Sequence, residues 1–374
     1  MLCVTNKHAI ACASVGLWMM LAHMTAAHLV RSRAPRCRSL PPRWHQRNFH
    51  GKETRAQRNT AACTHSASSF VLLWSTNANF FTLRARRCIE SIFYHHRWAI
   101  VRIYTNELPA HFFHEFAQRG FDIRVRRYNV SALLQDTPAS PWLARLTEWE
   151  RGPNFYAHIT DAIRLALLFS VGGIYLDTDV ILTRPVLLAG EVALGQQQRP
   201  PSFVLHPSGP SPASAAYVTS VVPALRDALG VESYADPRTG EPTLNGAFMA
   251  FERRSRYLWN CLHEFAADYQ SDRWSWNGPE LLTRVRARCA DSAGARVQVE
   301  PPERFYPLHW DHVADYADGL PAQSDAGMWH TIRTQSYAVH VWNRKTSELT
   351  FKKGSLLYWL HNTWTVLPGR EAST

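Results

Sequence analysis

Residues 160–182 read TDAIRLALLFSVGGIYLDTDVIL. The run from Ala157 to Val171 has the apolar spacing of a helix, and Gly172-Gly173 stops it, since paired glycines end helices and tolerate positive φ. Ile174-Tyr-Leu176 follows as a short buried strand and ends in Asp177-Thr178-Asp179. Helix, glycines, strand and carboxylates in that order predict an α/β fold, in which ligands bind outside the carboxyl ends of the strands. Two carboxylates at i and i+2 on a tight turn can converge on one hard cation. Mg²⁺ or Mn²⁺ held by one or two carboxylates keeps positions open for diphosphate oxygens. Asp161 and Arg164 stand at i and i+3, on one face of the preceding helix. They read either as a surface ion pair or as a carboxylate and guanidinium that hydrogen-bond sugar hydroxyls beside the metal. An isolated Asp-x-Asp is common in ordinary turns, so its setting carries the weight.

Outward from this stretch the chain alternates strand and helix patterns. Strands are predicted at Phe70–Trp74, Ile100–Tyr104 and Ile123–Arg127, with helices over 82–94 and 108–120 between them. That βαβαβ order predicts a mostly parallel sheet flanked by helices. Residues 195–243 are rich in Gln, Pro and Ser and read as a surface insertion or flexible loop. A strand at Ala247–Phe251, helices near 255–270 and 278–289, a strand at Ala338–Trp342 and a helix near 354–362 complete one catalytic-sized domain over 67–366. His340 lies on the late strand. Its imidazole reads as a core histidine between Val339 and Val341, or as a ligand that completes a metal shell.

Five blocks in fixed order, TDAIRLALLFSVGGIYLDTDVIL (160–182), LNGAFMAFERR (244–254), NGPELLTRV (277–285), FYPLHW (305–310) and YAVHVWN (337–343), make the chain resemble the α-1,4-glycosyltransferase family. The resemblance implies a fold of the GT-A type and a retaining, Mn²⁺-dependent transfer from a UDP-sugar, most readily UDP-galactose, to a glycolipid or other glycan. It also implies a Golgi, type II membrane location. Carried over by motif, Asp177 and Asp179 hold the metal and the donor diphosphate, with His340 as a further ligand. Asp161 and Arg164 bind donor hydroxyls, and Asn245 and Gly246 line the donor or acceptor cleft. Asn277, Gly278 and Glu280 match a donor-binding block, although the family usually has Gln at the first and last of these positions. The alternatives are an α-1,4-N-acetylglucosaminyltransferase acting on glycoprotein glycans and a non-catalytic glycan-binding protein on the same fold. A haloacid-dehalogenase-like phosphatase would carry its Asp-x-Asp on the first strand, with a later Lys and acid pair, which this chain does not match.

The formal charge of +11 is unevenly placed. Residues 1–60 hold ten basic residues against Glu53 alone, whereas the other 314 carry 31 basic and 29 acidic groups. A nearly neutral body argues against a nucleic-acid partner. Residues 8–30 contain no charged side chain, a run long enough to span a bilayer though diluted by Ser14, Gly16, His23 and His28. A signal anchor, a cleaved signal peptide and an organelle transit peptide are its three readings. Six arginines over 31–47 stand on the far side of the run, which the positive-inside rule would hold in the cytosol, against the anchor reading. Segment 1–30 is thus a membrane anchor or targeting segment and 31–66 a basic Arg/Pro-rich stem. Cys261 and Cys289 read either as one disulfide or as two buried thiols.

Overall fold

A computed structural model describes residues 68–188, 224–225, 228–235, 242–292, 294–318 and 322–369. The apolar run 8–30, the stem 31–66 and much of 195–243 lie outside the described residues. Among the described residues no helix is long and apolar enough to cross a membrane.

The N-terminal half runs β1 (Ser69–Leu73), α1 (Leu83–His95), β2 (Ile100–Tyr104), α2 (His114–Ala117), β3 (Asp122–Arg126), α3 (Val130–Gln135), α4 (Leu146–Trp149), α5 (Phe155–Val171), β4 (Gly173–Leu176) and β5 (Val180–Leu182). There follow β6 (Leu187–Leu188), β7 (Ala224–Leu225), β8 (Ala228–Ala235), β9 (Pro242–Phe251), α6 (Arg256–Ala267), α7 (Pro279–Cys289) and β10 (Gln298–Glu300). The chain finishes with α8 (Pro302–Phe305), α9 (Ala322–Gln335), β11 (Ala338–His340), α10 (Asn343–Thr346) and α11 (Leu356–Thr363).

The main sheet has the order β10-β8-β9-β4-β1-β2-β3. β3, β2, β1 and β4 run parallel, and β9 joins β4 antiparallel with Leu176 opposite Phe248. The predicted α/β architecture, a mostly parallel central sheet flanked by helices, is therefore present. Side chains alternate across the sheet. Phe70, Leu72, Ile174, Leu176, Phe248 and Ala250 pack with α1 and α11, while Val71, Leu73, Tyr175, Met249 and Phe251 pack with α5, α6 and α7. Both faces are covered, which is why these strands are uniformly apolar in sequence.

The two glycines do more than end α5. Gly172 closes the helix with its N–H on Leu168 O at 2.8 Å, at φ 66°. Gly173 has φ 115°, and a Cβ there would stand 2.5 Å from Ser69 O. Only glycine lets β4 enter the sheet against β1 and deliver Asp177 at its far end.

Three sequence expectations are corrected. The helix over 108–120 shrinks to His114–Ala117, because 109–113 close as successive turns, Phe112 N on Pro109 O and His114 N on His111 O. The described part of 195–243 is strand rather than loop: β8 pairs antiparallel with β9 and parallel with β10, so its hydrogen bonds come from neighbours remote in sequence. The late strand stops at His340, since Trp342 has a left-handed backbone, φ 51° and ψ 62°. Cys261 and Cys289 are buried thiols.

His96 and His361 are among the buried histidines that make the fold acid-sensitive. His96 Nε2 accepts the N–H of buried Val186 at 3.1 Å, and burial pushes its pKa down to about 4. His361 is buried against Phe351 and donates Nδ1–H to Leu357 O at 2.8 Å. Burial, with Arg84 and Arg87 adding to it, lowers its pKa to about 4 as well. Both stay neutral in the native state, while the unfolded chain protonates them near the ordinary histidine pKa of about 6.5. Stability contributed by these sites is complete above that value. It is lost as pH falls toward 4, at up to about 1.4 kcal/mol per pH unit for each histidine. The melting temperature should therefore drop steadily between pH 7 and pH 4.5, and His96→Asn should flatten that slope; a level profile over this range would refute the account.

Candidate active site

The site is built where β4 and β11 end, beside the middle of β9. Asp177 N donates to Ala247 O on β9 at 2.9 Å, and buried Cys88 on α1 donates its thiol to Asp177 O at 3.4 Å. The turn is thus fixed from both sides, and Val180 N closes it on Asp177 O at 3.1 Å. Tyr175, two residues before Asp177 and on the same strand face, donates its hydroxyl to Asp177 Oδ1 at 2.7 Å.

Asp179 turns toward β11. Its Oδ2 is 3.2 Å from His340 Nε2 and accepts the Asn343 N–H at 2.8 Å, while Val341 N donates to its carbonyl at 2.9 Å. Burial works to raise the pKa of Asp179, but the imidazole and this N–H outweigh it and hold the carboxyl below its ordinary value. His340 is held between Trp342, with ring centroids 4.0 Å apart, and Tyr306 at 5.9 Å. The left-handed backbone of Trp342 lets the chain leave β11 so that the first N–H of α10 points at Asp179. Such a conformation in a bulky residue is strained and persists where surroundings impose it. Here Trp342 Nε1 is tied to Leu308 O at 2.8 Å, and Arg84 donates to the carbonyls of Thr346, Ser347 and Leu349 behind the helix.

Asp177, Asp179 and His340 offer ligand atoms that all lie within 4.8 Å of one another. Two carboxylates and an imidazole, the last held by a tilted and an edge-on aromatic ring, are a donor set that fits a divalent cation of the Mg²⁺ or Mn²⁺ type. His340, expected here from the resemblance, stands beside the two carboxylates.

Asp161 and Arg164 on α5 flank the cluster. Arg164 Nη1 lies 3.5 Å from Asp177 Oδ2 and donates to Gly246 O at 3.1 Å, and its Nε is 3.5 Å from Asp161 Oδ1. Burial alone would disfavour the guanidinium charge, yet Asp177, Tyr175 and Asp161 hold its pKa above the ordinary value. The pKa of Asp161 is raised to about 6, driven up by burial first, opposed by Arg164 and helped by Asp177. Gly246 and Gly278 leave room for these two side chains: a Cβ on Gly246 would be 3.3 Å from Arg164 Nη1, and one on Gly278 2.5 Å from Asp161 Oδ2.

The remaining sequence candidates are placed less directly. Asn245 is buried, accepts Ala247 N on its Oδ1 at 2.7 Å and receives the Tyr306 hydroxyl on its carbonyl at 3.3 Å. Its side chain shapes the strand end. Asn277 is buried and folds its own loop, exchanging hydrogen bonds with Gln270 at 2.6 and 3.2 Å and lying 3.1 Å from His158 Nδ1. Glu280 is held by Arg273 at 2.8 Å and by the Ser275 hydroxyl at 2.6 Å. Neither side chain is brought to the Asp177–Asp179–His340 cluster by these bonds. Tyr175, Tyr306 and His158 belong to the site's framework and were not singled out from sequence. Spacing marks two of the three: Tyr175 is at i−2 from Asp177 on a strand, and His158 at i−3 from Asp161 on a helix.

Next to Asp179 a shallow surface cleft opens between Trp74, Thr82, Ala85, Thr178 and Asn343. Trp74 directly follows β1 and Thr82 directly precedes α1, so this cleft too sits at the carboxyl edge of the sheet.

Two family models match the chain. One describes a glycosyltransferase sugar-binding region containing a DXD motif and matches residues 82–199. The other describes an alpha 1,4-glycosyltransferase conserved region and matches residues 250–360. Over 250 residues the chain is 30 % identical to the lactosylceramide 4-alpha-galactosyltransferase of Pongo pygmaeus, covering 64 % of this chain and 92 % of that one. It is 31 % identical over 250 residues to the enzyme of that name from Mus musculus, covering 64 % and 56 %. It is 27 % identical over 232 residues to the alpha-1,4-N-acetylglucosaminyltransferase of Homo sapiens, covering 59 % and 52 %. The chain thus spans about half the length of these last two relatives. Among solved structures, a galactosyltransferase LgtC complex with donor and acceptor sugar analogs is similar at a TM-score of 0.33 and 12 % identity, covering 80 % of this chain and 97 % of that one. With its Asp-x-Asp at the end of β4 inside one matched region and His340 inside the other, the chain belongs to the α-1,4-glycosyltransferase family, a family of glycosyltransferases.

Proposed function

We propose that the chain transfers a hexose, galactose foremost, from a UDP-hexose to the terminal sugar of a glycolipid or other glycan, forming an α-1,4 linkage with retention. One observation carries this reading: Asp177, Asp179 and His340 converge at the carboxyl edge of the sheet with Asp161 and Arg164 beside them. A divalent ion held by the three ligands, Mn²⁺ by the match of carboxylate and imidazole donors, supplies neutralisation of the charge that grows on the departing diphosphate. The cleft at Trp74, Thr82 and Thr178 takes the nucleotide end of the donor. Asp161 and Arg164 orient the donor hexose by hydrogen bonds to its hydroxyls, and Gly246 and Gly278 give those two side chains their room. The lactosylceramide 4-alpha-galactosyltransferases among the relatives support galactose, and the alpha-1,4-N-acetylglucosaminyltransferase supports N-acetylglucosamine as the second donor. The apolar run 8–30 supports a membrane attachment, with the Golgi as its site.

Retention proceeds by attack on the face the diphosphate leaves, through an oxocarbenium-like ion pair, with a leaving phosphate oxygen taking the acceptor's proton. Double displacement would need a carboxylate nucleophile. Glu280 is committed to Arg273 and Ser275, which removes it from that role. Asp161, raised to about 6 by burial first, is a reluctant anion suited to hydrogen bonding. A fluorinated donor that left a covalent sugar on Asp161 would overturn this step.

The transferase reading is tested with a panel of UDP-hexoses and Mn²⁺, reading UDP release with and without a β-galactoside acceptor. UDP-galactose should release UDP fastest, and chelation with EDTA should abolish release. Absence of release from every donor would remove the reading.

A further inference from the structure

Two tryptophans stand two residues apart in the loop before α7, and they differ. Trp276 is half-buried and clamped: its ring lies 3.9 Å from the Arg273 guanidinium and 3.7 Å from that of Arg284, and its Nε1 donates to Asp268 O at 2.9 Å. Trp274 is 55 % exposed although its backbone is firmly held. His158 Nε2 lies 3.2 Å from Trp274 O and 3.1 Å from Arg273 O, and Asn277 binds both His158 and Gln270. His158 is buried on α5, one turn before Asp161. The other side of the indole faces α10, with the Arg344 guanidinium 5.6 Å from its ring. Arg344 follows Asn343, whose N–H is on Asp179 Oδ2 at 2.8 Å. The next residue, Lys345, lies 4.6 Å from the ring of Trp310 in the same way.

An exposed indole on a fixed mount is thus bracketed between the helix carrying Asp161 and Arg164 and the helix that touches the second carboxylate of the Asp-x-Asp. Mobile loops expose large apolar rings at no structural gain, and this loop is not built that way. A neutral sugar offers no charge to grip; what sets a pyranose apart from water is its C–H face. An aromatic ring takes that face out of water and places the electron-rich π surface against the partly positive C–H groups. A pinned ring does so with little entropy to lose. The neighbours Asp272, Arg273 and Ser275 are polar, so the surroundings are not those of a surface that buries a lipid chain.

We propose that Trp274 is the stacking platform for the terminal pyranose of the acceptor, and so a specificity-determining residue of the transfer. This rests on the transferase reading above and adds to it the acceptor's seat. Arg344 sets the tilt of the ring by a cation–π contact. Trp276, clamped between Arg273 and Arg284, serves only to brace the loop.

The test uses the full chain with a UDP-hexose that wild type turns over, methyl β-lactoside as acceptor, and the variants Trp274→Ala, Trp274→Phe and Trp98→Ala. Trp98 is an exposed tryptophan between α1 and β2, at the opposite edge of the sheet. Trp274→Ala should raise the acceptor KM about tenfold or more while the donor KM moves less than about twofold, the scale of one lost aromatic stacking contact. Trp274→Phe should restore most of the loss, and Trp98→Ala should match wild type. An unchanged acceptor KM in Trp274→Ala would overturn the platform while leaving the transferase reading intact, and so would equal rises in both KM values. A loss seen with a ceramide-linked lactoside but not with methyl β-lactoside would transfer Trp274 to lipid contact and overturn the sugar assignment. If wild type releases UDP from no donor, the transferase reading fails first and the platform falls with it.

Discussion

Asp179→Asn is expected to lower kcat/KM for sugar transfer by at least about a thousandfold, which is about 4 kcal/mol of lost transition-state stabilisation. The amide keeps the size of the carboxylate, and its Oδ1 can still accept the Asn343 N–H now made at 2.8 Å. What it loses is the charge that faces His340 at 3.2 Å and the cation the pair would share. Metal-assisted departure of a diphosphate depends on that charge, because the ion must be held where negative charge develops. The fold should survive, since the asparagine remains bonded to α10. The checks are a melting temperature within a few degrees of wild type and a metal requirement shifted to far higher Mn²⁺. Activity within tenfold of wild type at ordinary Mn²⁺ would remove Asp179 from the site.

Gly278→Ala should cost about a hundredfold in kcat/KM without removing a polar group. A Cβ at this position meets Asp161 Oδ2 at 2.5 Å and Cγ at 3.0 Å, so the carboxylate must move. It cannot move alone, for Arg164 sits 3.5 Å from it and the same guanidinium is 3.5 Å from Asp177. A displacement of this kind passes along three charged side chains, and misplacement on the scale of an ångström costs about that factor. Asp161→Asn should lose a similar amount. The double variant should lose little more than either single one, since both act through the same carboxylate. Additive losses, or Gly278→Ala activity within threefold of wild type, would show that Gly278 serves the loop and not Asp161.

Gly278 also shows why part of the site is hidden in a linear reading. The NGPELLTRV block marks the segment, and the side chains of Asn277 and Glu280 are its most conspicuous polar groups. Both are spent on the loop itself, through Gln270, His158, Arg273 and Ser275. The residue between them that matters to Asp161 is the one with no side chain, and its use is set by a helix more than a hundred residues earlier. Trp274 and Trp276 make the same point. Their sequence settings are nearly alike, and only the positions of Arg284, His158 and Arg344 decide which ring is clamped and which is offered to solvent.

Local pattern was a good guide wherever one segment alone bears the constraint. The α5–Gly172–Gly173–β4 order, the Asp-x-Asp at a strand end and the shared face of Asp161 and Arg164 depend on helix and strand periodicity and on glycine's backbone freedom. All of these are properties of neighbouring residues. The pattern misled over 108–120 and within 195–243. In the first, turn bonds displaced most of the helix; in the second, β8 draws its hydrogen bonds from β9 and β10.

By itself, then, the sequence determined the α/β class, the strand that carries the two aspartates and the face that carries Asp161 and Arg164. Tertiary structure alone decided that His340 meets Asp179 rather than filling the core. β11 pairs antiparallel with β5 in the register His340 opposite Val180, and a left-handed Trp342 then turns Asn343 back onto the same carboxylate. Those contacts join positions some 160 residues apart. Periodicity reports on neighbours a few residues away, whereas a metal cluster is defined by distance in space, which only the pairing of strands supplies.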